Sequence, residues 1–116
     1  MKKKYIIKKS YDFKNLIKNG NKYSNSFFSF FINENKLGYS RFGISIPKKI
    51  GIAVKRNKIK RIIKNIISNN IKFFNNIDCV IIVNSNILEM DYYKIKKELI
   101  FFFKKIKKQG VFNNEK

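Results

Sequence analysis

Five isoleucines, Ile59, Ile62, Ile63, Ile66 and Ile67, recur at helical spacing between Ala53 and Asn70, with cations and amides between them. At 100° per residue they gather on one side of a cylinder, while Asn57, Lys60, Arg61 and Lys64 gather on the other. A helix is the regular structure that sorts this mixture into an apolar face and a charged face. The spacing therefore predicts a helix over 53–70. Its isoleucines seal a core, and its outer side presents cations along roughly 12 Å.

A lysine-rich helix exterior is ordinarily a solvated face balanced by acidic partners three or four residues away. Here the balance is missing. The stretch KKIGIAVKRNKIKRIIK holds eight cations (Lys48, Lys49, Lys55, Arg56, Lys58, Lys60, Arg61 and Lys64) and no acid. The acidic residues are Asp12, Glu34, Asp78, Glu89, Asp91, Glu98 and Glu115, which leaves 35–77 without one. The whole chain of 116 residues carries 27 Lys and Arg against 7 Asp and Glu, a net charge of +20. Its wealth of Lys, Asn and Ile resembles the residue bias of an AT-rich genome, so the location of charge says more than its total. An unpaired row of cations is costly unless a polyanion neutralises it. Nucleic acid is the first candidate and an anionic membrane surface the second.

Around this helix the remaining segments read as a mixed sheet with further helices. Ser10–Asn19 forms a first helix, with Ser10 as cap, Asp12 at the positive dipole end and Gly20 as the C′ residue. Phe13, Leu16 and Ile17 make its apolar face. Ser26–Ile32 and Ser40–Ile46 read as two strands of an antiparallel hairpin joined by NENKLG, with Lys22–Ser24 as a short strand before them. Phe28, Phe30 and Ile32 point to the core, opposite Phe27, Ser29 and Phe31. In the next strand Phe42, Ile44 and Ile46 oppose Arg41, Gly43 and Ser45, and Pro47 ends the ladder. Asp78–Val83 is a buried strand. Asp91 caps a last helix running to Lys108, with the stripe Tyr92, Ile95, Leu99, Phe102, Phe103 and Ile106, and Gly110 stops it. The expected class is α+β, one domain over 1–116, with a mixed four-stranded sheet.

Several function classes are excluded by residue type. The chain has no histidine and one cysteine, Cys79, within an apolar run. That rules out an internal disulfide and a Cys/His metal site, and it suits a reducing cytoplasm. The seven carboxylates form no paired motif, so an intrinsic protein nuclease is not expected. Apolar runs reach five residues (CVIIV, LIFFF), too short for a signal peptide's apolar segment or a bilayer span.

The combined stretch SRFGISIPKKIGIAVKRNKIKRIIK resembles the signature of the bacterial ribonuclease P protein subunit. That family carries an R-hydrophobic-G-hydrophobic-S strand, then K-K-hydrophobic-G-x-A-V, then an R-N-R-hydrophobic-K-R helix. Upstream, IIKKSYDFKNLIKNG matches the family's D-F pair and the glycine closing its first helix. The resemblance covers essentially the whole chain. It implies an αβββαβα order with a left-handed βαβ crossover. It also implies assembly with one large catalytic RNA into an endonuclease that removes the 5′ leader of precursor tRNA and leaves a 5′-phosphate. In that family the RNA carries the chemistry with bound Mg2+, and the protein strengthens substrate and metal binding.

Residue by residue, the resemblance places the R-N-R triplet on Arg56, Asn57 and Lys58. It implies ribozyme contacts from these and from Lys48, Lys49, Lys55, Lys60, Arg61 and Lys64. Lys58 and Lys64 stand where arginine is usual, which keeps charge but loses the bidentate fork. A second surface, a cleft for the single-stranded leader, is implied at Phe13, Ile17, Ser29, Phe31, Ser45, Lys49, Lys60 and Lys64. Ile17 occupies a frequent phenylalanine position, and Pro47 a usual small polar one. Such a cleft suits any leader sequence, because bases stack on aromatics while cations follow the backbone. Pattern alone leaves Phe31 equally suited to core or RNA. No metal ligand falls on the protein, the Mg2+ being mainly RNA-bound. The implied partners are the catalytic RNA and precursor tRNA, with no membrane and no small-molecule substrate. Two alternatives are a structural rRNA-binding ribosomal protein and a membrane-surface protein using the basic helix.

Overall fold

The computed structural model describes residues 2–70, 76–84, 87 and 90–108. Its elements are α1 (Ser10–Asn19), β1 (Asn21–Ser24), β2 (Phe28–Glu34), β3 (Arg41–Ser45), α2 (Ala53–Asn69), β4 (Ile77–Val83) and α3 (Tyr92–Lys108), with short 3₁₀ turns at Lys3–Tyr5 and Lys48–Ile50. This is the expected α+β order. The sheet runs β1-β2-β4-β3.

The pairing differs from the expected hairpin. β2 and β3 do not touch, because β4 lies between them, antiparallel to β2 and parallel to β3. The reason lies in β4. Cys79, Ile81 and Val83 are buried on one face, and Val80 is buried on the other. A strand apolar on both sides gains most at the centre of a sheet covered twice. The actual hairpin is β1–β2. Its turn is held by Asn25, whose Oδ1 accepts from the N–H groups of Phe27 and Phe28 at 2.8 Å each. NENKLG instead carries the chain past β4. There Asn35 accepts from Leu37 N–H, Gly38 takes a positive φ of 85°, and the buried Ser40 hydroxyl accepts from Ile77 N–H at 3.1 Å.

Strand alternation divides the core in two. Phe28, Phe30 and Ile32 of β2 and Phe42 and Ile44 of β3 join the large cluster beneath α2 and α3. The Phe30 ring lies 4.7 Å from Phe102 and 5.1 Å from Phe103, centroid to centroid. From α2, Ile59, Ile63, Ile66 and Ile67 are buried here, with Ile62 packed at the margin. The opposite face carries a smaller cluster of Ile7, Leu16, Phe31 and Val80 beneath α1.

Helix ends follow sequence expectation in part. Asp91 Oδ1 accepts from Lys94 N–H at 2.9 Å, the predicted cap of α3. The stop assigned to Gly110 lies outside the described residues. Ser10, read as the cap of α1, is instead its first helical residue. The carbonyl of Lys9 already accepts from Phe13 N–H, so Lys9 takes the cap position with no side-chain acceptor to offer. Gly20 ends α1 without a left-handed turn, at φ −76°. Its role is close approach. A Cβ there would lie 2.6 Å from the Leu16 carbonyl and 3.3 Å from Ile32 N.

The chain before α1 also belongs to the sheet, which the sequence pattern did not announce. Ile6 bridges Phe42, and Ile7 N–H donates to the Phe42 carbonyl at 2.9 Å. This arm covers the open edge of β3, where unpaired backbone groups would otherwise invite association.

Candidate nucleic-acid interface

Burial of the isoleucine face turns the cations of α2 outward. Lys55, Asn57, Lys58, Lys60 and Arg61 are exposed, while Arg56 and Lys64 are half-buried. Among the described residues the ion pairs are Arg41–Asp12 and Arg41–Asp78, and neither involves α2. Among the described residues the helix is therefore a row of cations without an ion-pair partner. Arg56 differs from its neighbours. Its Nε–H donates to the Gly51 carbonyl at 3.0 Å, tying the start of α2 to the 3₁₀ turn that bears the exposed Lys48 and Lys49.

The second surface is laid out by strand register on the α1 side of the sheet. One row across it is Lys22, Phe31, Val80, Gly43, and the next is Ser24, Ser29, Ile82, Ser45. α1 crosses above the first row. Phe13 lies on Gly43 so closely that a Cβ there would meet its Cζ at 2.5 Å, and Leu16 joins Phe31 and Val80. In the second row Ser29, Ile82 and Ser45 are half-covered and Ser24 is exposed, a floor of three serines and one isoleucine beside the flank of the helix. Glycine at 43 is what lets an aromatic ring seat on the strand.

On the same face beyond Gly43, a network of charge fixes α1. Arg41 donates from Nε to Asp78 Oδ1 at 3.0 Å and from Nη2 to Asp78 Oδ2 at 2.7 Å. Its Nη1 lies 3.8 Å from Asp12 on α1. Asn35 Nδ2–H donates to Asp78 Oδ1 at 2.8 Å. The hydrogen bond to Asp78 holds the Arg41 guanidinium above its ordinary pKa, so it stays charged throughout.

Ser29 and Ser45 thus sit in one row with Ile82 between them, and Phe31 sits in the adjoining row. Phe31 is only 8% exposed, and Lys22 Nζ stands 5.7 Å from its ring centroid. Ile17, expected with Phe13 and Leu16 on the packed face of α1, is instead 42% exposed. At 100° per residue it turns past the narrow contact that Leu16 makes with the sheet. Lys49 is exposed on the turn after β3. Lys60 and Lys64 belong to a helix packed on the opposite face, so they do not share the floor of Ser29 and Ser45. Sequence reasoning missed Lys22, Ser24 and Ile82. Alternation along β4 carried the signal for Ile82, but its neighbours depend on a pairing 50 residues away in the chain.

A small α+β fold with an unneutralised cationic helix and a trough of small side chains defines a basic RNA-binding protein. Residues 1–107 match the family model described as Ribonuclease P. A ribonuclease P protein component from Mycoplasma capricolum subsp. capricolum is 38% identical over 109 residues, covering 92% of this chain and 100% of the relative. One from Fusobacterium nucleatum subsp. nucleatum is 41% identical over 106 residues, covering 87% and 96%. The solved RNase P protein of Staphylococcus aureus aligns with a TM-score of 0.85 at 34% identity, over 94% of this chain and 98% of that one. That of Thermotoga maritima aligns with a TM-score of 0.75 at 28% identity, over 81% and 90%. The chain belongs to the ribonuclease P protein family. It is a protein subunit of that tRNA-processing ribonucleoprotein, and the ribosomal alternative is not favoured. No helix among the described residues is long and apolar enough to cross a membrane.

Proposed function

We propose that α2 and the turn before it hold the catalytic RNA, while the trough beside α1 receives the 5′ leader of precursor tRNA. The observation that carries this reading is the row of α2 cations with no carboxylate partner among the described residues. Neutralising RNA phosphates releases condensed counterions, so an unpaired row gains more from RNA than a row already paired. Ser24, Ser29 and Ser45 leave room for a strand above the floor, and the exposed Ile17 with the edge of Phe13 supplies apolar surface for bases. Phe31 acts chiefly as support beneath that surface, its ring being covered.

The chemistry is assigned to the RNA, because the protein's candidate groups are engaged elsewhere. Burial and the nearby Asp78 push the Cys79 thiol far above its ordinary pKa, so it is no nucleophile. Asp12 and Asp78 serve Arg41, and Asp91 caps α3. No group of three or more Asp, Glu, Cys or His side chains able to hold a metal is assembled among the described residues. In this reading the Mg2+ of the holoenzyme is bound by the RNA. The protein's part is to bind and orient, in the cytoplasm where tRNA is processed.

The test is direct. The protein is mixed with the catalytic RNA of its own organism and a precursor tRNA at low Mg2+, and leader cleavage is followed. Addition of protein raises the cleavage rate. No gain over RNA alone removes the reading.

A further inference from the structure

Five lysines precede α1, and neither surface described above uses them. They do not lie on a loose tail. Ile7 is 2% exposed, and Ile6 and Ile7 are pinned to Phe42 of β3. Ahead of them, the turn Lys3–Tyr5 folds the chain back, with Tyr5 N–H donating to the Lys2 carbonyl at 3.0 Å. The Tyr5 ring then meets Tyr39 edge to face at 5.8 Å. Lys4 Nζ stands over both rings, 5.2 Å from one centroid and 5.0 Å from the other.

These anchored pieces enclose an open pocket of about 400 Å³ lined by Lys3, Lys4, Lys8, Lys9, Tyr39 and Arg41, with Ile6 and Asp12. Its one carboxylate is not free to balance the lysines. Asp12 faces Arg41, whose fork is already closed on Asp78. None of the four lysines forms an ion pair among the described residues, and all four are exposed. Like charges gathered around one hollow repel one another unless an anion enters. The two rings hold Lys4 in place beforehand, so less side-chain freedom is lost when it does.

We propose that this pocket binds the phosphodiester backbone of RNA, as a third contact separate from α2 and from the trough. The proposal rests on the reading that the chain works on RNA. A membrane headgroup fits less well, because surface-bound proteins pair cations with an exposed apolar anchor, and the rings here are half-buried against each other. Arg41 at the pocket and Ser45 at the trough are four residues apart on β3, roughly 13 Å. The phosphate therefore comes either from a leader continuing out of the trough or from the catalytic RNA beside it.

The experiment compares two full-length variants of equal charge, K4Q/K8Q/K9Q in the pocket and K94Q/K97Q/K104Q on the exposed side of α3. Affinity is measured by fluorescence anisotropy across a KCl series. One probe is the catalytic RNA alone. The other is precursor tRNA with a long leader, added to the preformed holoenzyme. The pocket variant should flatten the plot of log affinity against log salt by about 2, near 0.7 to 0.9 for each lost phosphate contact. The α3 variant should leave the slope within about 0.5 of the unaltered protein. Flattening with the catalytic RNA alone assigns the phosphate to that RNA, and flattening only with the leader-bearing precursor assigns it to the leader. Y39L keeps every charge but frees Lys4, and should weaken the same complex about two- to fivefold. An unchanged slope in the pocket variant, or equal flattening by both variants, overturns the proposal. Failure of the unaltered protein to bind either probe would overturn the RNA reading with it.

Discussion

Replacing Gly43 by alanine tests whether α1 is seated on the sheet through Phe13. The new Cβ would stand 2.5 Å from Phe13 Cζ and 2.8 Å from Cε2. Carbon atoms rest at about 3.5 Å or more, so the ring must retreat by about 1 Å. It has little freedom to do so, because Leu16 is buried against Phe31 and Val80 and Asp12 is held by Arg41. Overpacking of this kind costs about 1–3 kcal/mol, or a drop of about 4–12 °C in Tm for a chain of this length. The intrinsic preference of a strand for alanine over glycine runs the other way, by roughly 0.5–1 kcal/mol. The double variant F13A/G43A separates the two effects. Without the ring, G43A should be neutral or stabilising, giving a coupling of about 1–3 kcal/mol between the positions in urea denaturation. Additive effects, within about 0.5 kcal/mol, would refute the seating of α1 on Gly43.

Substituting Lys60 and Arg61 by glutamine removes two exposed cations of α2 without touching its buried face. The salt slope for the catalytic RNA should fall by about 1.5, so between 50 and 200 mM salt the unaltered protein loses roughly tenfold more affinity than the variant. Arg56 is the wrong residue for this measurement, since its bond to the Gly51 carbonyl mixes RNA contact with the position of the turn. Cys79 should react with a thiol reagent at pH 8 only at the rate of unfolding, because the thiol is fully buried and its pKa is pushed up from 9.0. The sign follows from the raised pKa. The thiol's contribution to stability is complete below pH 9 and declines above it, as the unfolded chain gains by ionising. Fast stoichiometric labelling of the native protein would refute that burial.

Elements governed by local pattern were legible in the sequence. The isoleucine period of α2, the Asp91 cap and the inward set Phe28, Phe30 and Ile32 all stand as read. What escaped depended on partners far apart in the chain. Ser26–Ile32 and Ser40–Ile46 were recognisable as strands, but nothing between them reveals that a strand 40 residues later separates them. The clue was the two-sided apolar character of β4, which demands the sheet centre. Arg41 read as a member of the signature strand, yet its partners Asp78 and Asn35 meet only after β4 is inserted. The cation row of α2 was legible as a surface. The trough was legible only through resemblance, because its floor is a row of residues from four strands and no single stretch displays it. Ser10 misled for a local reason, since the helix starts one residue earlier than the pattern suggested and the cap position falls on Lys9.

Placement of the few acids explains how the charge of α2 reaches its full effect. Asp12 and Asp78 are gathered around one arginine at one end of the α1 face. Asp91 is committed to the α3 terminus. Carboxylates so fixed cannot swing toward α2, and at physiological salt exposed charges are screened beyond about 8 Å. Among the described residues the cations of α2 form no ion pair, so the helix presents the charge of its own lysines and arginines. The same arrangement makes the two surfaces separable. α2 packs on one face of the sheet and the trough opens on the other, and β3 leads from the trough through the Lys48–Ile50 turn into α2. On the proposed reading, this division would let a strand leaving the trough be gripped without displacing RNA held on the helix.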